Sequence, residues 1–261
     1  MSAAVVLPGE FCWFELSTTD QDSARAFYRG LFGWDSADED LGAQGVYTRF
    51  SIDGKEVAAT SLLQPDQSAN GVPPNWMIYV MVANADETAS RVSAAGGTLI
   101  NAPFDVDALG RMALIADPAG ATFAIWEAKS HPGIGVTRVP HTVCWAELTT
   151  PDVTGATKFY GSVFDWKFFG KEDGTPVGPD DYTHIINNNH MIGGLPSAST
   201  RHPGIAPHWM IYFEVANCAA MVEKAYELGA SVLLNTTAIG DTSAIAVLAD
   251  PQGVVFGLHQ G

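Results

Sequence analysis

Apolar and polar positions along this chain follow two rhythms that alternate. In residues 13–18, WFELST, neighbouring side chains face opposite sides of a strand, with Phe14 and Leu16 on one face and Trp13 and Glu15 on the other. From Ala24 the period lengthens: Ala24, Phe27, Tyr28 and Leu31 fall at i, i+3, i+4 and i+7, one stripe of a helix. Thr18 with Gln21 predicts a capping box at its start. Residues 46–52 and 55–63 then read as two strands joined at Asp53–Gly54, a hairpin turn signal. Residues 64–75 read as a loop, 76–82 (WMIYVMV) as a buried strand and 84–95 as a helix with Asn84 as N-cap and Gly96 as its stop. Strands 111–116 and 121–127 flank the turn Asp117–Pro118–Ala119–Gly120.

The same order then recurs. WFELSTTDQDSARAFYRGLFGW at 13–34 returns 132 residues later as WAELTTPDVTGATKFYGSVFDW, with 10 of 22 positions identical. A period of half the chain marks a duplicated domain rather than a solenoid. Thr150 followed by Pro151 predicts an N-cap with proline at the first helical position. Strands 182–187 and 191–195 bracket Asn188–Asn189; a loop at 196–208, a strand at 209–215 (WMIYFEV), a helix at 217–228 and strands 244–248 and 254–259 complete the copy. The boundaries expected are a first domain at 1–128, a linker at 129–141 and a second domain at 142–261.

The joint order of D-x6-FY (Asp20 with Phe27–Tyr28; Asp152 with Phe159–Tyr160), the glycines ending the second helix of each half (Gly96–Gly97; Gly229) and the DP-x-G turns at Asp117 and Asp250 resembles the glyoxalase/bleomycin-resistance/dioxygenase (vicinal oxygen chelate) superfamily, in its duplicated actinobacterial form. The resemblance spans nearly the whole chain, twice. It implies an α+β fold of tandem domains, each two βαβββ units forming a cup-shaped mixed sheet with helices on its outer face. In the family's enzymes a divalent metal sits in the cup. The positions that would hold it here carry Trp13, Met77 and Ala124 in the first half and Trp145, Met210 and Gly257 in the second; the fourth lies within 57–63 and 192–195, runs without His, Glu, Asp or Cys. None of these is a ligand a catalytic zinc or a harder cation would choose.

The expectation is therefore a metal-independent protein, without cofactor, that binds an apolar, aromatic or polyketide-like molecule for sequestration, resistance or carriage. Trp13, Trp145, Met77, Tyr79, Met210 and Tyr212 would line the cups, although Trp and Met also serve simply as core. Glu15 and Glu147, facing the same way, would be desolvated and could act as general acid/base or as ligand acceptors, or be structural. The first alternative is thus a metal-free tailoring enzyme using Glu147 or Glu15; the second is a metal-dependent lyase or dioxygenase.

Arg111 (equivalent to Ala244) and Arg49 (equivalent to His184) could hold an anionic group or make surface ion pairs. Trp126 is a further ligand-binding candidate, replaced in the second half by His259; His208 and His259 could reach the rim, and with Glu147 they form an outside candidate for a displaced metal site. His131, His141 and His202 are expected in solvated loops.

Charge and cysteines narrow the classes further. With 13 Lys plus Arg against 29 Asp plus Glu, the net charge of −16 opposes binding to nucleic acid. Neither a membrane span nor a basic, apolar leader is evident, so a cytoplasmic location is expected. Cys12, Cys144 and Cys218 form no disulfide pattern; Cys12 and Cys144, repeat-equivalent, read as small buried strand residues. Duplication can replace dimerisation, which points to a monomer or weak dimer.

Overall fold

The structure is a computed structural model that describes residues 5–170, 182–196, 205–239 and 241–261. The first half runs β1 (Phe11–Thr18), α1 (Gln21–Phe32), β2 (Asp35–Asp40), β3 (Val46–Ile52), β4 (Lys55–Leu62), a short α2 (Pro65–Ala69), β5 (Asn75–Met81), α3 (Ala85–Ala94), β6 (Thr98–Val106), β7 (Gly110–Ala116) and β8 (Thr122–Ala128). The second runs β9 (Val143–Thr149), α4 (Val153–Phe164), β10 (Lys167–Phe169), β11 (Thr183–Asn187), β12 (His190–Leu195), β13 (His208–Glu214), α5 (Cys218–Glu227), β14 (Ser231–Ala238), β15 (Ala244–Ala249) and β16 (Val255–Gln260). Their sheets have the same order, β2-β3-β4-β1-β5-β8-β7-β6 and β10-β11-β12-β9-β13-β16-β15-β14. The expected tandem βαβββ architecture is present: in each half two units meet where β1 lies against β5, or β9 against β13, antiparallel.

Several local expectations change. Residues 36–44, a polar stretch without periodicity, contain most of β2, an edge strand whose sequence DSADED discourages pairing with another chain. The strands β6 and β14 were not separately legible, because their side chains are largely exposed and show no alternation. Asp20 and Asp152, not the threonines before them, cap the first helix of each half: each carboxylate accepts the backbone N–H three residues on, at 3.0 and 2.8 Å. The threonine hydroxyls instead accept the N–H of those aspartates. The expected loop at 196–208 falls partly outside the described residues, as does His202. The hairpin turns are as expected; Asp53–Gly54 and Asn188–Asn189 all have positive φ, the conformation a two-residue turn needs.

The sequence motifs tie the halves to each other. The Tyr28 hydroxyl donates to Asp250 Oδ2 of the second half, and the Tyr160 hydroxyl donates to Asp117 Oδ2 of the first, each at 3.1 Å and buried. The other oxygen of each aspartate holds its own turn: Asp117 Oδ1 accepts from the N–H groups of Ala119, Gly120 and Ala121, and Asp250 Oδ1 from those of Gln252 and Val254. Trp76 and Trp209 donate to the two tyrosine oxygens at 3.0 Å. Trp34 and Trp166 complete the reciprocity, donating to the carbonyls of His141 and Gly9. The FY and DP-x-G motifs therefore build a quasi-twofold interface of helices and aromatic rings on the side of the sheets away from the cups. No helix among the described residues is long and apolar enough to cross a membrane.

Candidate functional site

Each cup is floored by the same small network. In the first, Trp13 Nε1 donates to the Tyr47 hydroxyl at 3.0 Å, and Tyr47, Tyr79 and Ser61 donate to the Glu15 carboxylate at 3.3, 2.9 and 2.9 Å. In the second, Trp145 Nε1 donates to Tyr182 at 2.7 Å, and Tyr182 and Tyr212 donate to Glu147 at 3.1 and 3.4 Å. The cups differ in space. The first encloses a cavity of about 180 Å³, the second about 740 Å³; drug-sized ligand sites run roughly 300–1,000 Å³.

Two substitutions help to account for the difference. Ala59 and Ala124 of the first half are Gly194 and Gly257 in the second. A Cβ on Gly194 would lie 2.2 Å from the Tyr182 ring, and one on Gly257 2.1 Å from the Tyr212 ring. Glycine lets both rings settle onto the sheet. In the first cup His131, expected in solvent, packs inward instead: its ring stands 4.7 Å from that of Trp13 and 6.0 Å from that of Trp126, and Nε2 is 2.9 Å from Glu56. Arg49 bridges Glu39 and Glu56 beside it. The equivalent of Glu56 is Met191, so among the described residues this charged group has no counterpart in the second cup. His141 is also drawn in; burial pulls its imidazole below the usual histidine range.

The second cup contains a group the family positions do not reveal. One ligand atom each from Cys144, Glu214 and His259 lie within 4.8 Å of one another, and all three residues line the large cavity. His259 Nδ1 is 3.2 Å from Glu214 Oε2, across in-register positions of parallel β13 and β16. Cys144 joins them because β9 bulges: Trp145 pairs with Tyr212 and Val143 with Phe213, leaving Cys144 between the pairs and free of strict alternation. Relative to Trp145, Tyr212 and Gly257, the three groups are displaced in one direction along the sheet, since β9 runs antiparallel to β13 and β16 parallel to it. Burial first, and the negative charge of Glu214 second, push the Cys144 thiol up, so it is protonated here, and ligation would release that proton.

This donor set fits a divalent ion. A thiolate, a carboxylate and an imidazole are three protein ligands of the kinds a catalytic zinc takes, with coordination positions left open. The expectation of a metal-independent protein is thereby overturned: the family positions carry Trp145, Met210 and Gly257 as read, but candidate ligands stand beside them. Cys144 is not a plain strand residue. The site differs from the one considered from sequence, His208 with His259 and Glu147, since His208 turns to the carbonyl of Ala206 and does not line the cup. The signal lay in the differences between halves. Glu214 replaces Met81 and His259 replaces Trp126, each a ligand gained on the second side only.

The other residues singled out distribute as follows. Trp13, Glu15, Tyr79, Arg49 and Trp126 line the first cup; Trp145, Glu147, Tyr212 and His259 line the second. Met77 and Met210 pair with Glu15 and Glu147 across the strands without lining either cavity. Arg111 is held outside by a bidentate pair with Asp86, at 2.9 Å for both bonds. Burial pushes the Glu147 carboxyl up from its ordinary value, and the hydrogen bonds from Tyr182 and Tyr212 offset part of that.

Known proteins agree with this architecture. The sequence profile of the Glyoxalase/Bleomycin resistance protein/Dioxygenase superfamily matches residues 11–125 and 138–258. The anthracycline biosynthesis protein DnrV of Streptomyces peucetius is 37% identical over 95% of this chain and 92% of its own. The putative glyoxylase CFP32 of Mycobacterium bovis is 33% identical over 94% and 92%. Among solved structures, the Mn(II)-bound glyoxalase from Novosphingobium aromaticivorans superposes over all of this chain and 83% of its own, with a TM-score of 0.69 at 16% identity. The chain belongs to the Glyoxalase/Bleomycin resistance protein/Dioxygenase superfamily, with the family's domain present twice.

Proposed function

We propose that this chain is a metal-dependent, lyase-type enzyme of small-molecule biosynthesis, acting on an aromatic molecule in the second cup. The observation that carries the reading is the cluster of Cys144, Glu214 and His259 on the wall of the 740 Å³ cavity. A borderline-soft divalent ion held there would supply a Lewis acid with open positions. The chain's own residues divide the remaining tasks. Trp145, Tyr182 and Tyr212 offer flat apolar walls for rings. Glu147 is placed to accept a donor from the ligand, and burial raises its carboxyl above the ordinary value, which suits it to take and return a proton. Tyr182 fixes its Oε2 in place.

Two likenesses support the reading. A 37% identical relative is named an anthracycline biosynthesis protein, and a structure of the same fold is a Mn(II)-bound glyoxalase. The test uses untagged protein stripped by chelator and reloaded with zinc, manganese or nickel. About one ion per chain, with binding lost in Cys144→Ser and His259→Ala, is expected. Protein that takes up no divalent ion, or holds it equally well in both variants, overturns the proposal.

A further inference from the structure

The two cups share a carboxylate network and complete it differently. Glu15 Oε1 accepts from Ser61 at 2.9 Å, while Oε2 accepts from Tyr79 at 2.9 Å and Tyr47 at 3.3 Å. Strand register identifies the counterpart of Ser61. Glu15 lies opposite Ala59 and Glu147 opposite Gly194, and two residues beyond them stand Ser61 and Pro196. Proline has no donor to offer. Among the described residues, Glu147 Oε1 has only the Tyr212 hydroxyl at 3.4 Å, beyond the usual range of an O–H···O bond. Its acceptor capacity is unspent, and it borders the large cavity.

The donors Glu147 does have are neutral. Among the described residues no Lys, Arg or His forms an ion pair with it. Arg138 lies by Cys144 and donates to the Met191 carbonyl, and the His184 ring rests against Trp145 and Tyr182. A divalent ion at the neighbouring cluster leaves this charge uncompensated as well, because the Cys144 thiolate and the Glu214 carboxylate cancel two positive charges. A half-satisfied carboxylate among aromatic rings is the setting that takes an ammonium group, through a charge-assisted hydrogen bond and cation–π attraction. The net charge of −16 draws cations to the protein from a distance.

We infer that the ligand of the second cup is an aromatic molecule carrying a protonated amine, whose N–H donates to Glu147 Oε1 while its rings lie along Trp145 and Tyr212. This rests on the second cup being the ligand site, as proposed above, but it does not require the metal, and the test is run on chelator-stripped and on zinc-loaded protein to separate the two. The probes are anthracen-9-ylmethylammonium and its neutral counterpart anthracen-9-ylmethanol, followed by quenching of tryptophan fluorescence. The ammonium is expected to bind about tenfold more tightly, the ratio between a charged and a neutral hydrogen bond. Glu147→Gln reduces that preference to about twofold or less, while Glu15→Gln retains it. Equal or tighter binding of the alcohol overturns the inference, as does a preference that survives Glu147→Gln. If that variant does not fold, a crystal structure of the wild-type complex decides: an ammonium nitrogen about 3 Å from Glu147 Oε1 supports the inference, and one directed away from it overturns it.

Discussion

The first and second cups start from one plan and end in different states, and a few positions account for the divergence. In the first, Ala59 and Ala124 stand where the second has glycines, His131 packs on Trp13, and Glu39, Arg49, Glu56 and His131 form a chain of charged and polar contacts beside it. In the second, glycines seat Tyr182 and Tyr212 flat, Met191 replaces Glu56, and Glu214 and His259 replace Met81 and Trp126. Cys12 and Cys144 occupy the same bulge and donate to equivalent carbonyls, of Tyr79 and Tyr212, at 3.4 Å, but Cys144 also lies beside Glu214 and His259. On the proposed function, the first copy is closed and supporting and the second carries the site.

The sharpest way to break this comparison is to remove ligands from one side at a time. Glu214→Gln and His259→Ala should each weaken divalent-ion affinity by about 100-fold or more, beyond the 10–100-fold typical of outer-shell changes, whereas Trp126→Ala in the first cup should leave it unchanged, by isothermal titration. The interface, in contrast, should treat the halves alike. Tyr28→Phe and Tyr160→Phe each leave a buried aspartate oxygen and a tryptophan N–H without a partner, so each should lose roughly 1–3 kcal/mol in urea unfolding. A large inequality would break the quasi-twofold account.

Opening the closed cup is expected to cost less. His131→Ala removes the ring from Trp13 and should lower stability by roughly 1–2 kcal/mol, while the first cup gains affinity for a small aromatic such as indole. The smallest effect concerns pH. Glu147 has a folded pKa above its ordinary value of 4.5. Its contribution to stability is therefore fully present below about pH 4.5 and is lost as pH rises through the folded value. Glu147→Gln should compare more favourably with the wild type at pH 7 than at pH 4 in thermal unfolding; the reverse order would contradict the burial account.

Much of the fold was legible because its periodicity is strong where burial is one-sided. The strand and helix around Trp13 and Tyr28 repeat with their apolar faces intact, and the paired turn residues at 53–54 and 188–189 allow positive φ. The edge strands β6 and β14 carry no such signal, since exposed positions obey no alternation. At the site, parity placed Trp13, Glu15, Tyr79 and their counterparts on one face. It could not place Cys144, because a bulge breaks parity and only pairing with β13 reveals it. His131 escaped for a different reason: a loop histidine shows no pattern, and its partners Trp13, Trp126 and Glu56 are far away in sequence. The roles of Tyr28 and Asp250 were hidden likewise, being 222 residues apart.

Cobalt(II) is the most direct probe of the second cup, because thiolate ligation gives a near-ultraviolet charge-transfer band that oxygen and nitrogen ligands do not. Chelator-stripped protein titrated with cobalt(II) should develop that band to an end point of about one ion per chain. Cys144→Ser should abolish the band, and Cys12→Ser should leave it intact. A titration with no charge-transfer band, or a band that survives the loss of Cys144, would contradict the assignment of the metal to Cys144, Glu214 and His259.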